Sequence, residues 1–166
     1  MSARAFAPDA VSWRLKAFGA LTVYELYALL QLRAEVFVLE QVCLFQDLDG
    51  SDAQALHVLG HVGEELVAYA RCFGPGVKFA EASIGRVVTR GTFRAGGLGH
   101  VLIKRSVAAT CDRWGRQPIR IGAQARLKRF YEGHGFEDVG VPYIEDGIDH
   151  LEMVWRAQAT DTGKQK

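Results

Sequence analysis

The run Arg94-Ala95-Gly96-Gly97-Leu98-Gly99-His100 brings a guanidinium and closely spaced glycines to the approach of a helix. The chemistry suited to that composition is anion binding. The first turn of a helix leaves N–H groups without intrahelical partners, with a partial positive charge behind them. A phosphate or pyrophosphate satisfies both. Gly96, Gly97 and Gly99 let the main chain come close to such a ligand, and Arg94 adds a planar fork suited to phosphate oxygens. Two familiar nucleotide motifs fail here. A P-loop needs Lys-Ser/Thr after its last glycine, where this chain has Leu98 or His100, and the dinucleotide fingerprint needs glycine where Leu102 stands.

Two other clusters invite a metal reading and do not support it. Asp47-Leu48-Asp49-Gly50-Ser51-Asp52 resembles the start of a calcium loop, but the closing glutamate is missing and Val58 occupies its place. A solvated acidic turn is the expectation. His57 and His61 lack the Glu of His-Glu-x-x-His, and on a strand they would stand about 13 Å apart. They are expected to be structural or surface residues, and no metal is expected in the protein.

The elements that must position the loop follow from periodicity. Trp13 to Phe18 alternates like a strand with one buried face. Thr22, with Glu25 three residues on, predicts a capping box opening a helix that runs to about Glu40 and carries Leu26, Leu29, Leu30, Arg33 and Phe37 on one stripe. His57 to Val62 and Leu66 to Cys72 form a hairpin around Gly63-Glu64-Glu65, and Ser83 to Thr89 is a buried strand before the loop. A helix follows from Leu98, its sheet-facing stripe read as Leu98, Val101, Leu102, Arg105, Ala108 and Ala109 and widened by Ile103 and Val107, until Gly115 and Pro118 stop it. Ile119 to Ile121 is a short strand, a helix starts at Gln124, and strands at Phe136 to Val141 and Leu151 to Trp155 close the chain. This mixture predicts an α/β (α+β) mixed sheet with helices on its faces, not a doubly wound fold.

Composition bounds the function. A chain of 166 residues suits one domain, here residues 1–166 with a core of about 13–156 and loosely held ends. A net charge of +1 argues against a dedicated nucleic-acid binder. Cys43, Cys72 and Cys111 are too few and too scattered for a disulfide framework or zinc cluster, which fits a reducing cytoplasm. Neither a signal peptide nor a bilayer-spanning run is read, so no membrane partner is expected.

The pattern Arg-x-x-Gly-x-Gly, carried by Arg94, Gly97 and Gly99, resembles the acetyl-CoA pyrophosphate loop of the GNAT acetyltransferase superfamily. A second stretch, Gln124 to Phe136, is similar to that superfamily's helix with an aromatic-Tyr pair followed by Gly-Phe, here Phe130-Tyr131 and Gly135-Phe136. Leu29 to Arg33, Val36 to Gln41, Gln46 to Gly50 and Ile121 to Ala125 extend the likeness to an ElaA-like subgroup over roughly residues 13 to 155.

The resemblance implies a GNAT fold in which two central parallel strands diverge and admit the pantetheine arm. It implies that Val87, Val88 and Thr89 pair with pantetheine, with the Val88 N–H as oxyanion donor. Residues 94–100 (Arg94, Ala95, Gly96, Gly97, Leu98, Gly99, His100) would hold the pyrophosphate. Gln124 would offer its amide where many relatives have Asn, and Tyr131 would protonate the departing thiolate. Glu40, Asp47 and Asp49 would face an ammonium on the acceptor side, with Glu40, His150 or water as base. Arg86, which interrupts an apolar strand, has either a buried partner or a role in the cleft. The function implied is acetyl-CoA-dependent N-acetylation of a primary amine by a monomer or homodimer. A non-catalytic acyl-CoA-binding module shares the loop, and Tyr131 favours the enzyme.

Overall fold

The computed structural model describes residues 6–158; expectations for residues 1–5 and 159–166 lie outside the described residues. Among the described residues, seven strands form one sheet. They are β1 (Ser12–Ala17), β2 (Leu56–Val62), β3 (Glu65–Phe73), β4 (Ala82–Thr89), β5 (Ile119–Gln124), β6 (Phe136–Glu145) and β7 (Ile148–Trp155), and three helices accompany them, α1 (Val23–Ala34), α2 (Leu98–Trp114) and α3 (Lys128–Glu132). The sheet order is β1-β2-β3-β4-β5-β7-β6. Every neighbouring pair is antiparallel except β4 and β5, which run parallel.

Alternation along the central strands assigns the two faces. Leu59 and Tyr69 pack with Leu29, Leu32 and Val36 under α1. Val58, Ala68 and Ala70 point the other way and pack with Leu98, Leu102 and Ile103 of α2. The opening of α1 is as predicted: the Glu25 N–H donates to Thr22 Oγ1 and the Thr22 N–H to Glu25 Oε2, each at 3.1 Å. The helix continues as a π-helical turn over Glu35–Glu40.

Three readings change. The buried stripe of α2 is Leu98, Leu102, Ile103, Ser106, Ala109 and Thr110, while Arg105 and Ala108 are exposed. Ser106 and Thr110 are tolerated there because each hydroxyl donates to the carbonyl four residues back, at 2.8 Å. The helix expected from Gln124 starts at Lys128, because Gln124 is still paired with His150 of β7 and a 3₁₀ turn (Ala125–Leu127) intervenes. Ahead of β1, Val11 is buried, and Phe6 packs edge-on against Phe93 at 5.3 Å, so residues 6–12 are held more closely than expected.

Candidate functional site

β4 and β5 pair only through Ala82↔Ile119 and Ser83↔Arg120. Beyond those residues each strand follows its other neighbour: β4 stays with β3 as far as Ala68↔Thr89, and β5 stays with β7 as far as Gln124↔His150. The parallel pair therefore opens into a V. A cleft of about 150 Å³ fills it, lined by Arg86 and Val87 of β4, Gln124 of β5, Tyr131, and His150 of β7.

One extra residue in β4 shapes this opening. Tyr69 faces Val88 and Arg71 faces Gly85, so Ala70 alone opposes both Arg86 and Val87. Arg86 absorbs the bulge at φ +49°, a conformation that costs a non-glycine residue about 1–2 kcal/mol. Its guanidinium lies over the Phe45 ring at 4.9 Å, and its Nε donates to Asp47 Oδ1 at 2.8 Å.

The acidic turn is not a solvated one. Arg33, fully buried on α1, donates to Asp47 Oδ2 at 3.0 Å and to Asp52 Oδ1 at 2.7 Å. Arg71, buried on β3, donates to both oxygens of Asp49, at 2.9 and 2.6 Å, and to Asp52 at 3.0 Å. His57 joins this layer rather than any metal. Its Nε2 must carry the hydrogen given to the Asp52 carbonyl at 2.9 Å, leaving Nδ1 to accept from the Tyr69 hydroxyl at 2.6 Å. Asp47 is thus engaged by two guanidiniums, Arg33 and Arg86, and is not free to attract an ammonium. Asp49 is held well below the usual carboxylate range by its Arg71 bonds. Glu40 is displaced as well: it does not line the cleft but pairs with Arg94 at 2.7 Å.

Arg94 sits in a 3₁₀ turn (Gly91–Gly96), where it also donates to the Thr89 carbonyl at the end of β4, at 3.2 and 2.8 Å. Gly97, at φ +75°, turns the chain into α2, whose start has no side-chain cap. The N–H groups of His100 and Val101 reach the Gly97 carbonyl, so the donors left for an anion are those of Leu98 and Gly99. The glycines have different reasons. Gly97 is required by its φ, whereas a Cβ on Gly96 would come within 2.9 Å of the Phe6 ring. Ala95 and His100 are exposed, and the His100 ring reaches His134, Nδ1 to Nε2, at 2.8 Å.

On the opposite wall, Tyr131 is 7 % exposed, with ring contacts to Phe130 at 5.1 Å and Phe136 at 5.7 Å. Burial pushes its phenol up to about 12, so the hydroxyl keeps its proton. His150 donates from Nδ1 to the Ile148 carbonyl at 2.8 Å. A carbonyl can only accept, so the neutral ring carries its lone pair on Nε2. Glu145 lies 3.7 Å from that nitrogen, and Tyr143 stacks on the ring at 5.3 Å. The Gln124 amide donates to Gln41 Oε1 at 3.1 Å and accepts from Arg126 at 2.9 Å. Sequence reasoning did not find Gln41 and Glu145; both reach the cleft only through tertiary packing. Among the described residues, no group of three or more His, Cys, Asp or Glu is arranged to hold a metal ion.

A mixed sheet that opens between its parallel strands, with a glycine loop and helix start at the mouth, defines an acyl-CoA-binding acetyltransferase fold. Residues 29–157 match the acetyltransferase (GNAT) domain family, and the chain belongs to it. It is 40% identical to protein ElaA of Escherichia coli (strain K12) over 145 residues, 86% of this chain and 95% of that protein. The crystal structure of Escherichia coli ElaA superposes with a TM-score of 0.82, covering 88% and 99% of the two chains at 38% identity. An acyl-CoA N-acyltransferase from Pseudomonas aeruginosa gives 0.83 at 41% identity over 89% and 99%. A GNAT acetyltransferase from Elizabethkingia anophelis, solved with acetyl-CoA bound, shares the fold at 15% identity and a TM-score of 0.60 over 90% and 99%.

Proposed function

We propose that this protein transfers the acetyl group of acetyl-CoA to a primary amine by direct attack on the thioester. The observation that carries this reading is the pairing of a buried phenol with a lone-pair-bearing imidazole around one cleft, Tyr131 on α3 and His150 on β7. The residues present fit the CoA ester. The edge of β4 that leaves β5 after Ser83 can receive the pantetheine amides along Val87 to Thr89, as an added strand would. The Leu98 and Gly99 N–H groups and Arg94 suit the pyrophosphate.

The proton balance assigns the roles. An alkylammonium must lose a proton before it attacks; His150 Nε2 accepts that proton, and Glu145 stabilises the resulting imidazolium. The amine nitrogen bonds to the thioester carbonyl carbon and the C–S bond breaks. The Val88 N–H is the donor assigned to the developing oxyanion. The sulfur leaves with the Tyr131 proton while the adduct nitrogen gives up its second proton, which restores the Tyr131 phenol; His150 returns the first proton to solvent, and the products are a neutral amide and CoASH. A phenol at about 12 is a weak acid toward a solvated thiolate near 8.5, so the transfer needs the sulfur to leave desolvated beside the buried ring, where burial raises its basicity as it raises the phenol's.

The test is acetyl-CoA consumption and CoASH release across a panel of amines, with acetyl-CoA affinity measured by calorimetry. Acceptor-dependent release supports the reading. Binding without release with any amine class, from small amines to peptides, assigns the protein to the non-catalytic acyl-CoA modules instead.

A further inference from the structure

The acceptor side of the cleft carries a cation that the protein does not fully satisfy. Around the Asp47–Asp52 turn, four cations (Arg33, Arg71, Arg86 and Lys78) meet three carboxylates (Asp47, Asp49 and Asp52), a surplus of one positive charge. Arg33 and Arg71 are fully enclosed, and Lys78 binds Asp49 outside the cleft. Arg86 is the member that lines the cleft. Its Nε and Nη2 are used on Asp47 and Asp49, whereas Nη1 donates to no group among the described residues. The Phe45 ring at 4.9 Å and the bond to the Asp47 carbonyl hold the guanidinium plane, and Nη1 stays accessible on a side chain that is 21% exposed, open to a ligand.

This conformation is not one the strand would adopt unforced. Arg86 occupies the left-handed φ of the β4 bulge, and strained backbone of this kind is kept where the surrounding structure holds a side chain in place. Opposite it, the β6–β7 turn brings Glu145, Asp146 and His150 to the other wall. The two walls have opposite charge. A plain alkylamine would use only the acidic wall and would leave the Arg86 donors in the cleft unmatched.

Resting on the acetyl-transfer reading, we infer that the acceptor is an aminocarboxylate, whose carboxylate binds Arg86 Nη1 while its amine lies toward His150. Small α-amino acids and their close analogues are the class. An Arg–carboxylate contact is a charge-assisted hydrogen bond, so it discriminates by charge and not by side-chain size.

The experiment uses matched acceptors: leucine, leucinamide and isoamylamine, which share an apolar stem and differ at the carboxylate. For the wild type, kcat/KM for leucine should exceed that for the other two by about 10- to 100-fold, the worth of a hydrogen bond to a charged group. In Arg86→Gln the three values should converge, with CoA affinity retained. Arg86→Lys, which keeps the charge if Arg86→Gln fails to fold, should retain part of the preference. Equal wild-type values, or a preference for isoamylamine, overturns the inference while leaving acetyl transfer intact. Weakened CoA binding in a folded Arg86→Gln overturns it too, because Arg86 would then serve the donor. If no amine in any class is acetylated, acetyl transfer itself fails, and the anchor is judged by calorimetry on the CoA complex. N-acetylleucine binding that Arg86→Gln abolishes supports the anchor; absence of binding overturns it.

Discussion

Replacing Tyr131 by Phe isolates one hydroxyl. The ring contacts with Phe130 and Phe136 survive the change, so the variant should fold and bind acetyl-CoA nearly as the wild type does. If that hydroxyl donates the proton to the leaving sulfur, the single-turnover rate should fall by about 10²–10⁴-fold. The structure sharpens the pH dependence. Burial pushes the phenol up to about 12, and a raised acid keeps its proton further into alkali. At about pH 10 a phenol with its ordinary value would be half ionised, whereas one at about 12 would be only about 1 % ionised. The wild-type single-turnover profile should therefore show no phenol-dependent fall below about pH 11. Rapid-quench measurement of acetylated product, with enzyme in excess over acetyl-CoA, avoids masking by product release. An unchanged rate in a folded, CoA-binding Tyr131→Phe would return Tyr131 to a packing role. A falling limb near pH 10 that vanishes in Tyr131→Phe would keep the proton donor but refute the burial argument.

The remaining predictions concern the donor loop, the base and the acidic turn. Gly99→Glu is a cleaner block of the proposed pyrophosphate site than a change at Gly97: its φ is ordinary, and an added Cβ meets only the Phe130 ring at 3.6 Å. Calorimetry should find acetyl-CoA binding lost in a protein whose circular dichroism is intact, and retained affinity would move the phosphates elsewhere. His150→Gln should lower turnover by about 10²-fold or more with CoA affinity unchanged, and added imidazole should restore part of it; an unaffected rate would leave the proton to water. Asp52→Ala should cost about 1.5–3 kcal/mol in urea denaturation, because it takes one charged hydrogen bond from each of buried Arg33 and Arg71, which keep Asp47 and Asp49. Acid sensitivity follows from the same turn. Arg71 holds Asp49 low, and Arg33 and Arg71 hold Asp52 low against the opposing effect of burial. Their stabilisation is complete above the unfolded carboxylate value of about 3.9 and is lost as pH falls through the lower folded values. A urea midpoint that stays constant down to about pH 2 would contradict it.

What was legible in the chain was whatever depends on neighbours close in sequence. Thr22 and Glu25 make a cap within one turn, and Gly97 followed by Leu98 marks a helix start within two residues. The acidic turn misled because its partners are remote: Arg33, Arg71 and Arg86 lie 14 to 39 residues from the carboxylates they bind. Seen locally, Asp47 to Asp52 is a polar turn; only the sheet brings it over three arginines. Gln124 was misplaced for a similar reason, since its pairing with His150 keeps it on a strand. The stripe of α2 was rotated because Ser106 and Thr110 read as polar, although their hydroxyls are satisfied within the helix.

The position of the arginine layer has a consequence for how activity losses should be interpreted. Asp47 binds Arg33, which anchors α1, and Arg86, which faces the cleft, through the two oxygens of one carboxylate. Removing that carboxylate would leave Arg33 buried with less compensation and would also free Arg86 to turn. Lost stability and altered acceptor binding would then appear together, although Asp47 touches no substrate in the mechanism proposed. The two effects separate by residue. Arg71 reaches Asp49 and Asp52 without lining the cleft, so its loss should lower stability without changing which acceptor is preferred. Arg86 lines the cleft and is only partly enclosed, so its loss should change that preference more than the stability. A substitution in this layer is therefore evidence about the acceptor only when the urea midpoint is measured beside the rate.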